Sequence, residues 1–270
     1  IMKKVELEKV IHDKKVGVVC EDILPNITED SLLMEDGVVI GFYIKNIGDY
    51  SKKAELLANI ADKEFRSQRV PKQEMSRGPQ GNKKDKAERE RVGKNIVTQF
   101  STILGGVPPK PHMRRDYATI SSVHGVSSAR SFIKAMILLA RESENIIKQL
   151  MPETYHSQKK LISENCPKKY RLSDLFTSSI SNFNISADYH IDRANLKGCL
   201  NVIIAKRKDS HGGNTTVPDY GATFNSSDNS MLVYPAWRNL HGVTPIVTTA
   251  EGGYRNTLVF YPLSSFKKYV

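Results

Sequence analysis

The second half of the chain alternates short apolar runs with turn-forming residues, and this pattern predicts a series of short β-strands. Gly212-Gly213 marks a turn between two of them. Short strands separated by Gly, Asn and Pro are typical of an antiparallel jelly roll built from two sheets, also called a double-stranded β-helix. The predicted strands cover residues 183–191, 198–205, 230–234, 242–249 and 256–261.

The first half adds helical periodicity. Ser51 is a suitable N-cap for a helix that reaches about Arg69 and carries its apolar residues on one side. A longer helix is predicted from Ser127 or Ser128 to about Leu150, where a Met-Pro pair ends it. The fold class is therefore α+β, with a double-stranded β-helix core and flanking helices.

The N-terminal region is predicted to be an elaboration of this core. Glu35-Asp36-Gly37 is a turn signal before a strand at 38–44, which is rich in branched and aromatic residues and extends the main sheet. We expect residues 1–99 to supply strands, a helix and a mobile basic loop that pack on a core formed by 100–270. The two segments should form one integrated domain.

Composition indicates a soluble globular protein, with 39% hydrophobic and 26% charged residues among 270. No run of about 18 apolar residues and no signal peptide pattern occurs, so we expect an intracellular protein without a membrane partner. Three cysteines without a C-x-x-C spacing argue against a disulfide framework or a structural zinc site. Ile1 precedes Met2, where we expect the natural chain to begin.

The net charge of +11 is concentrated in one part of the chain. Residues 66–115 contain 13 Lys or Arg against four acids. Such an excess is the electrostatic signature of a polyanion binder, since cations that contact phosphates release condensed counterions. Lys83 to Lys94 has almost no apolar residue, which predicts a mobile basic loop that orders on DNA. The alternative is a solvated basic stretch that keeps the protein soluble.

A candidate metal site begins at His190-Ile191-Asp192. Residues two apart on a strand point to the same face, so His190 and Asp192 are placed together. With His241 they offer two imidazoles and one carboxylate, the facial triad of non-haem Fe(II) oxygenases. Arg255 and Thr257 share another strand face, where they suit a carboxylate ligand. The alternative is a hydrogen-bonded His190 in a turn, a loop His241 and a surface Arg255.

These residues, together with Tyr-Pro-Ala-Trp-Arg-Asn-Leu-His-Gly-Val-Thr-Pro before Arg255, resemble the TET/JBP family. The resemblance covers roughly 100–263 and is most specific near the end, and phage-encoded members are similar in length. It implies an Fe(II)/2-oxoglutarate-dependent dioxygenase that uses O2 to hydroxylate the 5-methyl group of a pyrimidine in DNA. His190, Asp192 and His241 would be the catalytic iron ligands, and Arg255 and Thr257 would bind 2-oxoglutarate. A phage protein would act in the host cytoplasm.

The resemblance also implies how the base is held. A methyl group inside a duplex cannot reach a buried iron, so the base must be flipped or the strand single. Asn195 matches a polar residue that reads the pyrimidine edge, and Tyr261 matches an aromatic that stacks on the base. Leu263 departs from the family, since members acting on 5-methylcytosine can have His there. Conversion of 5-methylcytosine to 5-hydroxymethylcytosine is favoured, with thymine to 5-hydroxymethyluracil next.

Two alternatives belong to other classes of function. One is an Fe(II)/2-oxoglutarate hydroxylase that acts on a free nucleotide, an RNA base or a protein and needs no basic segment. The other is a non-catalytic DNA-binding jelly roll whose His and Asp residues bind no metal.

Overall fold

A computed structural model describes residues 2–81 and 97–270. The basic loop predicted for Lys83 to Lys94 lies outside these residues. Short strands dominate the described part of the chain. They are β1 (Lys3–Glu6), β2 (Ser31–Glu35), β3 (Val38–Ile44), β4 (Gln73–Glu74), β5 (Phe100–Val107), β6 (Thr119–Ile120), β7 (Ser178–Phe183), β8 (Ala187–His190), β9 (Asn201–Lys208), β10 (Ser210–Gly212), β11 (Thr215–Val217), β12 (Ala222–Phe224), β13 (Met231–Tyr234), β14 (His241–Val243), β15 (Ile246–Thr248) and β16 (Tyr254–Tyr261).

A large sheet contains ten of these strands, in the order β1-β2-β3-β13-β9-β16-β7-β5-β4 with β6 paired to β5. Its pairs are antiparallel except β1 with β2. A smaller sheet has the order β12-β11-β14-β8, and β10 pairs with β15. The two sheets give the predicted double-stranded β-helix core, so the fold-class prediction is confirmed.

Helices pack on one face of the large sheet. They are α1 (Lys52–Arg66), α3 (Arg130–Leu150) and α4 (Pro152–Asn165), whereas the short α2 (Gly78–Gly81) contacts β8 of the smaller sheet. Alternate residues of β16 point to this face, where Leu258 and Phe260 join Phe65 of α1 and Phe132 of α3 in the main apolar core. The other residues of β16 therefore face the smaller sheet, and the space between the sheets is where a site can form.

The predicted helices agree with the structure at their starts. The Ser51 hydroxyl accepts a hydrogen bond from the Ala54 amide, so it caps α1 as expected. A short 3₁₀ turn at Ser127–Ala129 leads into α3, which ends at Leu150. Pro152 follows the end of α3 and also occupies the first turn of α4. The N–H groups of a first turn have no partner within the helix, so the missing N–H of proline loses no hydrogen bond there. The sequence prediction did not include α4.

The N-terminal strands belong to the large sheet. β2 and β3 form a hairpin through Asp36 and Gly37, both with positive φ, and β3 pairs with β13. The predicted strand at 38–44 matches β3. The predicted extension of the main sheet by this region is confirmed.

Two predicted strands are wrong in extent because the chain changes sheet within them. The strand predicted at 183–191 is divided between β7 and β8, and Asn184 between them has a φ of 53°. The strand predicted at 242–249 is divided into β14 and β15, with Pro245 in the gap. Gly105-Gly106-Val107, for which the sequence predicted no strand, is the end of β5.

The three cysteines form no disulfide bond. Cys20, Cys166 and Cys199 are free and buried, as expected for core residues. Burial raises the pKa of the Cys199 thiol to about 12.

In residues 2–81 and 97–270, no helix is both long and apolar enough to cross a membrane.

Candidate functional site

Strand pairing in the smaller sheet brings the two candidate histidines together. His190 at the end of β8 is the register partner of His241 at the start of β14, and their ring centroids are 4.4 Å apart. Asp192 follows β8, with its carboxylate oxygens 3.5 Å from His190 Nε2 and 3.9 Å from His241 Nε2. One ligand atom from each residue lies within 4.8 Å of the others. Residues distant in sequence thus converge on one point.

Hydrogen bonds to the backbone orient both rings. His190 Nδ1 lies 2.8 Å from the Asp188 carbonyl oxygen, and His241 Nδ1 lies 3.0 Å from that of Asn239. A carbonyl oxygen can only accept, so each Nδ1 carries a proton, and Nε2 is the nitrogen of each ring that remains to bind a metal. Burial and the neighbouring His190 lower the pKa of His241, which favours its neutral form. Two imidazoles and a carboxylate fit a divalent metal with open coordination positions.

A chain of two amides supports the Asp192 carboxylate. Asn201 Nδ2 donates to Asp192 Oδ2 at 3.2 Å, and Asn195 Nδ2 donates to Asn201 Oδ1 at 2.9 Å. An ionised carboxylate only accepts, so Asn201 must direct its NH2 group at Asp192. The amide oxygen of Asn201 then faces Asn195, which must donate its own NH2 group. Asn195, predicted to read the base, is therefore connected to a candidate metal ligand.

Arg255 is a buried cation on the large sheet. Its Nε and Nη2 donate to Ser226 Oγ at 3.2 and 3.1 Å, and no carboxylate among the described residues forms an ion pair with it. Burial, followed by the charge of Arg207 opposite it on β9, lowers the pKa of Arg255 to about 9. A guanidinium in this position lacks a counter-ion, so it suits an anionic ligand.

Thr257 lies two residues further on the same face, as the sequence predicts. Its Oγ1 is 3.5 Å from Asn182 Nδ2 on β7, and Asn182 Oδ1 has no hydrogen-bond partner among the described residues. A hydroxyl and an unused amide oxygen beside a guanidinium provide polar groups for a carboxylate-bearing ligand.

One cavity of about 600 Å³ unites the predicted residues. It lies between the sheets, with Arg255 towards one end of β16 and Tyr261 six residues away, about 20 Å along the strand. Burial raises the pKa of Tyr261 far above its usual value, and the charge of Asp192 adds to this effect. All of the predicted site residues line this cavity: His190, Asp192, His241, Arg255, Thr257, Asn195 and Tyr261.

Several further residues of the site were not predicted from the sequence. Asn201 and Asn182 line the cavity from neighbouring strands, and Ser226 holds Arg255. No local motif marks them, because their roles depend on strand pairing. Arg77 also lines the cavity.

The double-stranded β-helix therefore holds a His-Asp-His cluster and a buried arginine between its two sheets, and such a ligand set suits a divalent metal such as Fe(II). Comparison with solved structures agrees on the fold. NgTET1 in complex with 5mC DNA aligns at a TM-score of 0.59 with 12% identity, over 94% of this chain and 84% of that chain. The chain therefore has the fold of NgTET1.

Other solved structures align less well. A 2OG-Fe(II) oxygenase family oxidoreductase from Burkholderia pseudomallei has a TM-score of 0.41 at 12% identity, over 76% of this chain and 77% of that chain. OsALKBH1 has a TM-score of 0.40 at 13% identity, over 82% of this chain and 96% of that chain. No protein-family model matches the chain, and no curated protein matches its sequence.

Proposed function

We propose that the protein is an Fe(II)/2-oxoglutarate-dependent dioxygenase that hydroxylates the 5-methyl group of a pyrimidine in DNA. 5-Methylcytosine is the favoured substrate, and thymine is the next. The observation that carries the proposal is the cavity that contains both the His-Asp-His cluster and a buried arginine, for which residues 2–81 and 97–270 supply no carboxylate partner. A metal and a dianionic co-substrate would satisfy these two groups together.

The residues of the cavity have separate tasks in this proposal. His190, Asp192 and His241 would hold Fe(II), while Arg255 and Thr257 would bind the distal carboxylate of 2-oxoglutarate. Bound iron, 2-oxoglutarate and O2 supply the oxidising chemistry that an unactivated methyl group requires. The Asn201 amide keeps the Asp192 carboxylate in place, and the Ser226 hydroxyl keeps the guanidinium in place.

The base would enter from the end of the cavity opposite Arg255. Tyr261 offers a ring for stacking there, and Asn195 offers an amide near the candidate metal ligands. A cavity of about 600 Å³ is large enough for a small co-substrate and a flipped base. Hydroxylation of the methyl group requires the base to leave the stack, because the ligand cluster lies between two sheets.

Two observations support DNA as the substrate. The basic excess in residues 66–115 suits a polyanion, and part of it lies at the cavity through Arg77. The fold is that of NgTET1, whose solved structure contains 5mC DNA.

The decisive experiment supplies the protein anaerobically with Fe(II) and 2-oxoglutarate, admits O2, and digests the DNA to nucleosides for mass analysis. One DNA carries 5-methylcytosine and the other only unmodified bases. A gain of one oxygen on 5-methylcytosine alone is the expected result, and a gain on thymine would assign the second substrate. No product on either DNA would contradict the proposal and direct attention to nucleotides, RNA and proteins.

The variant Asp192→Ala tests the site assignment. We expect it to abolish turnover by removing a metal ligand while DNA affinity stays close to that of the wild type. Asp22→Ala, at an exposed position outside the cavity, is the matched control and should retain full activity. Turnover by Asp192→Ala would show that the iron ligands are assigned wrongly.

A further inference from the structure

A second cavity of about 560 Å³ lies beside the candidate site. It is lined by the segment from Pro71 to Gln73, by β5, and by the loops on either side of β6. Ile103 of β5 lines both cavities. Gln73 lines the second cavity and Arg77 the first, and four residues of chain can span at most roughly 14 Å. The two cavities are therefore neighbours.

The second cavity, here called the basic cleft, is positively charged. Lys72, Lys110 and Arg115 line it, and none of the lining residues that the structure describes is acidic. None of these three cations forms an ion pair within the part of the chain that the structure describes. Burial lowers the pKa of Lys72. The cleft therefore lacks the anion that its charges would favour.

Backbone carbonyls hold two of the cations in position. Arg115 donates to the carbonyl oxygens of Tyr117 at 2.9 Å and Pro108 at 2.5 Å, and Lys72 donates to those of Ser67 and Val70. Carbonyl groups orient a cation but do not neutralise it. The charges are thus arranged in advance, which lowers the ordering cost of binding an anion.

Lys110 and Arg115 face each other across an isolated antiparallel bridge. Their backbones exchange hydrogen bonds of 2.5 and 3.1 Å. Like charges directly opposite each other are destabilising, and a bound anion between them would reverse this effect. Lys110 is half-buried, and no side-chain hydrogen bond holds its ammonium group among the described residues.

The remaining lining suits a nucleotide better than a bare inorganic ion. Hydroxyl groups of serines and threonines lie beside an apolar floor that includes Ile103 and Val123, and Tyr117 near the cleft is 57% exposed. Lys, Arg, Ser and Thr are the residues that contact phosphate and sugar, and an exposed ring can stack on a base. Both kinds of contact are available together.

We propose that the basic cleft binds the sugar-phosphate backbone next to the pyrimidine whose base enters the neighbouring cavity. This inference rests on the proposed function, because it assigns the substrate as a polynucleotide that occupies both cavities. The shared ligand chemistry is a phosphate ester, which a DNA strand or a free nucleotide can provide. The proximity of the cavities favours the strand.

The test measures binding of metal-free protein to single-stranded DNA that contains one 5-methylcytosine, by fluorescence anisotropy at several salt concentrations. We expect Lys110→Gln to weaken binding roughly 10-fold and to lower the slope of log affinity against log salt by about 0.7. Lys4→Gln is the matched control, since exposed Lys4 lies in β1 at the opposite edge of the large sheet. Melting curves establish that both variants are folded.

A second arm locates the contact by replacing single phosphates with neutral methylphosphonates. At one linkage beside the 5-methylcytosine, the replacement should weaken the wild type but cause no further loss in Lys110→Gln. Equal binding by Lys110→Gln and Lys4→Gln, or additive losses at every linkage, would overturn the proposal. It would also be overturned if Lys110→Gln lost affinity for free 5-methyl-dCMP but not for the strand.

The two proposals fail in different ways. Binding needs no turnover, so coupling between Lys110 and a phosphate without any hydroxylated product would support the cleft and contradict the oxygenase. Hydroxylation of DNA without such coupling would do the reverse.

Discussion

Arg255 carries a buried charge whose hydrogen bonds go to a neutral hydroxyl. Only 2% of the surface of Arg255 is exposed, and its main hydrogen-bond partner is the Ser226 hydroxyl. Burial of a charge without a counter-ion costs free energy of folding. The arginine is therefore expected to contribute to ligand affinity rather than to the stability of the ligand-free protein.

Replacement of Arg255 by Leu should separate these two quantities. We expect 2-oxoglutarate affinity to fall by roughly 2–4 kcal/mol, about 30- to 1000-fold, because a charge-assisted pair is lost. The melting temperature of the ligand-free protein should stay the same or rise. Calorimetric titration with Mn(II) in place of iron measures the first quantity, and a thermal melt measures the second. Unchanged affinity would refute the role of Arg255.

Asn201 is expected to act through Asp192. Asn201→Leu keeps a similar volume but removes the donor to the carboxylate, and loss of such a support typically lowers metal affinity 10- to 100-fold. Asn195→Leu removes the next amide of the chain, so it should weaken base binding and change metal affinity much less. Co(II) titration of both folded variants distinguishes them. Equal metal affinities would show that Asn201 does not position Asp192.

The site residues that the sequence predicted are those whose side chains are typical metal or carboxylate ligands. Arg255 and Thr257 share a face by strand period, so this pair could be placed from spacing. Asp192 lies beyond the end of β8, where strand period no longer sets its direction, although its carboxylate does meet His190 as predicted. Asn201 could not be placed, because its contact with Asp192 depends on where β9 lies relative to the end of β8. Asn195 and Tyr261 line the cavity, and their roles in base recognition stay predictions.

Among the elements, α1 supports the strand that carries Arg255. Asp62 on α1 is buried and accepts hydrogen bonds from Arg66 Nε at 3.1 Å, Tyr254 OH at 3.0 Å and Asn256 Nδ2 at 2.5 Å. Tyr254 and Asn256 flank Arg255 on β16. This carboxylate therefore fixes the helix against the back of the site.

Asp62→Ala should destabilise the fold by about 3 kcal/mol, because it leaves several buried donors without an acceptor. Asp62→Asn keeps one acceptor oxygen and should cost less. Urea unfolding measures both, with the exposed Asp22→Ala as the control. If Asp62→Ala and Asp22→Ala had equal effects, the network would contribute nothing to stability.

The predicted strand boundaries are wrong where the backbone passes from one sheet to the other. Asn184 adopts a positive φ, and its side-chain oxygen accepts a hydrogen bond from the Arg255 amide at 2.9 Å. This bond replaces the backbone hydrogen bond that a further residue of β7 would make to β16, so the strand ends here. The apolar pattern of 183–191 gives no sign of this crossing. Gly105 has a φ of 80° within β5, a conformation that favours glycine, so the sequence there lacks the branched residues typical of a strand.

For the molecule as a whole, we propose that residues 1–99 and 100–270 form one integrated catalytic domain. β3 pairs with β13 in the large sheet, and Leu57 and Phe65 of α1 belong to the main apolar core. Thermal unfolding followed by near- and far-ultraviolet circular dichroism should therefore give coincident transitions. Deletion of 1–99 should leave a chain that does not fold. Two separated transitions would contradict the proposal.

The alternation of β16 limits how such a chain can change in length during evolution. Arg255, Thr257, Val259 and Tyr261 face the cavity, while Leu258 and Phe260 face the helices. Insertion or deletion of one residue at the start of this strand would exchange the two sets and place the arginine in an apolar core. Substitutions that preserve the alternation should be tolerated far better. Changes in length should therefore accumulate in the connections between strands.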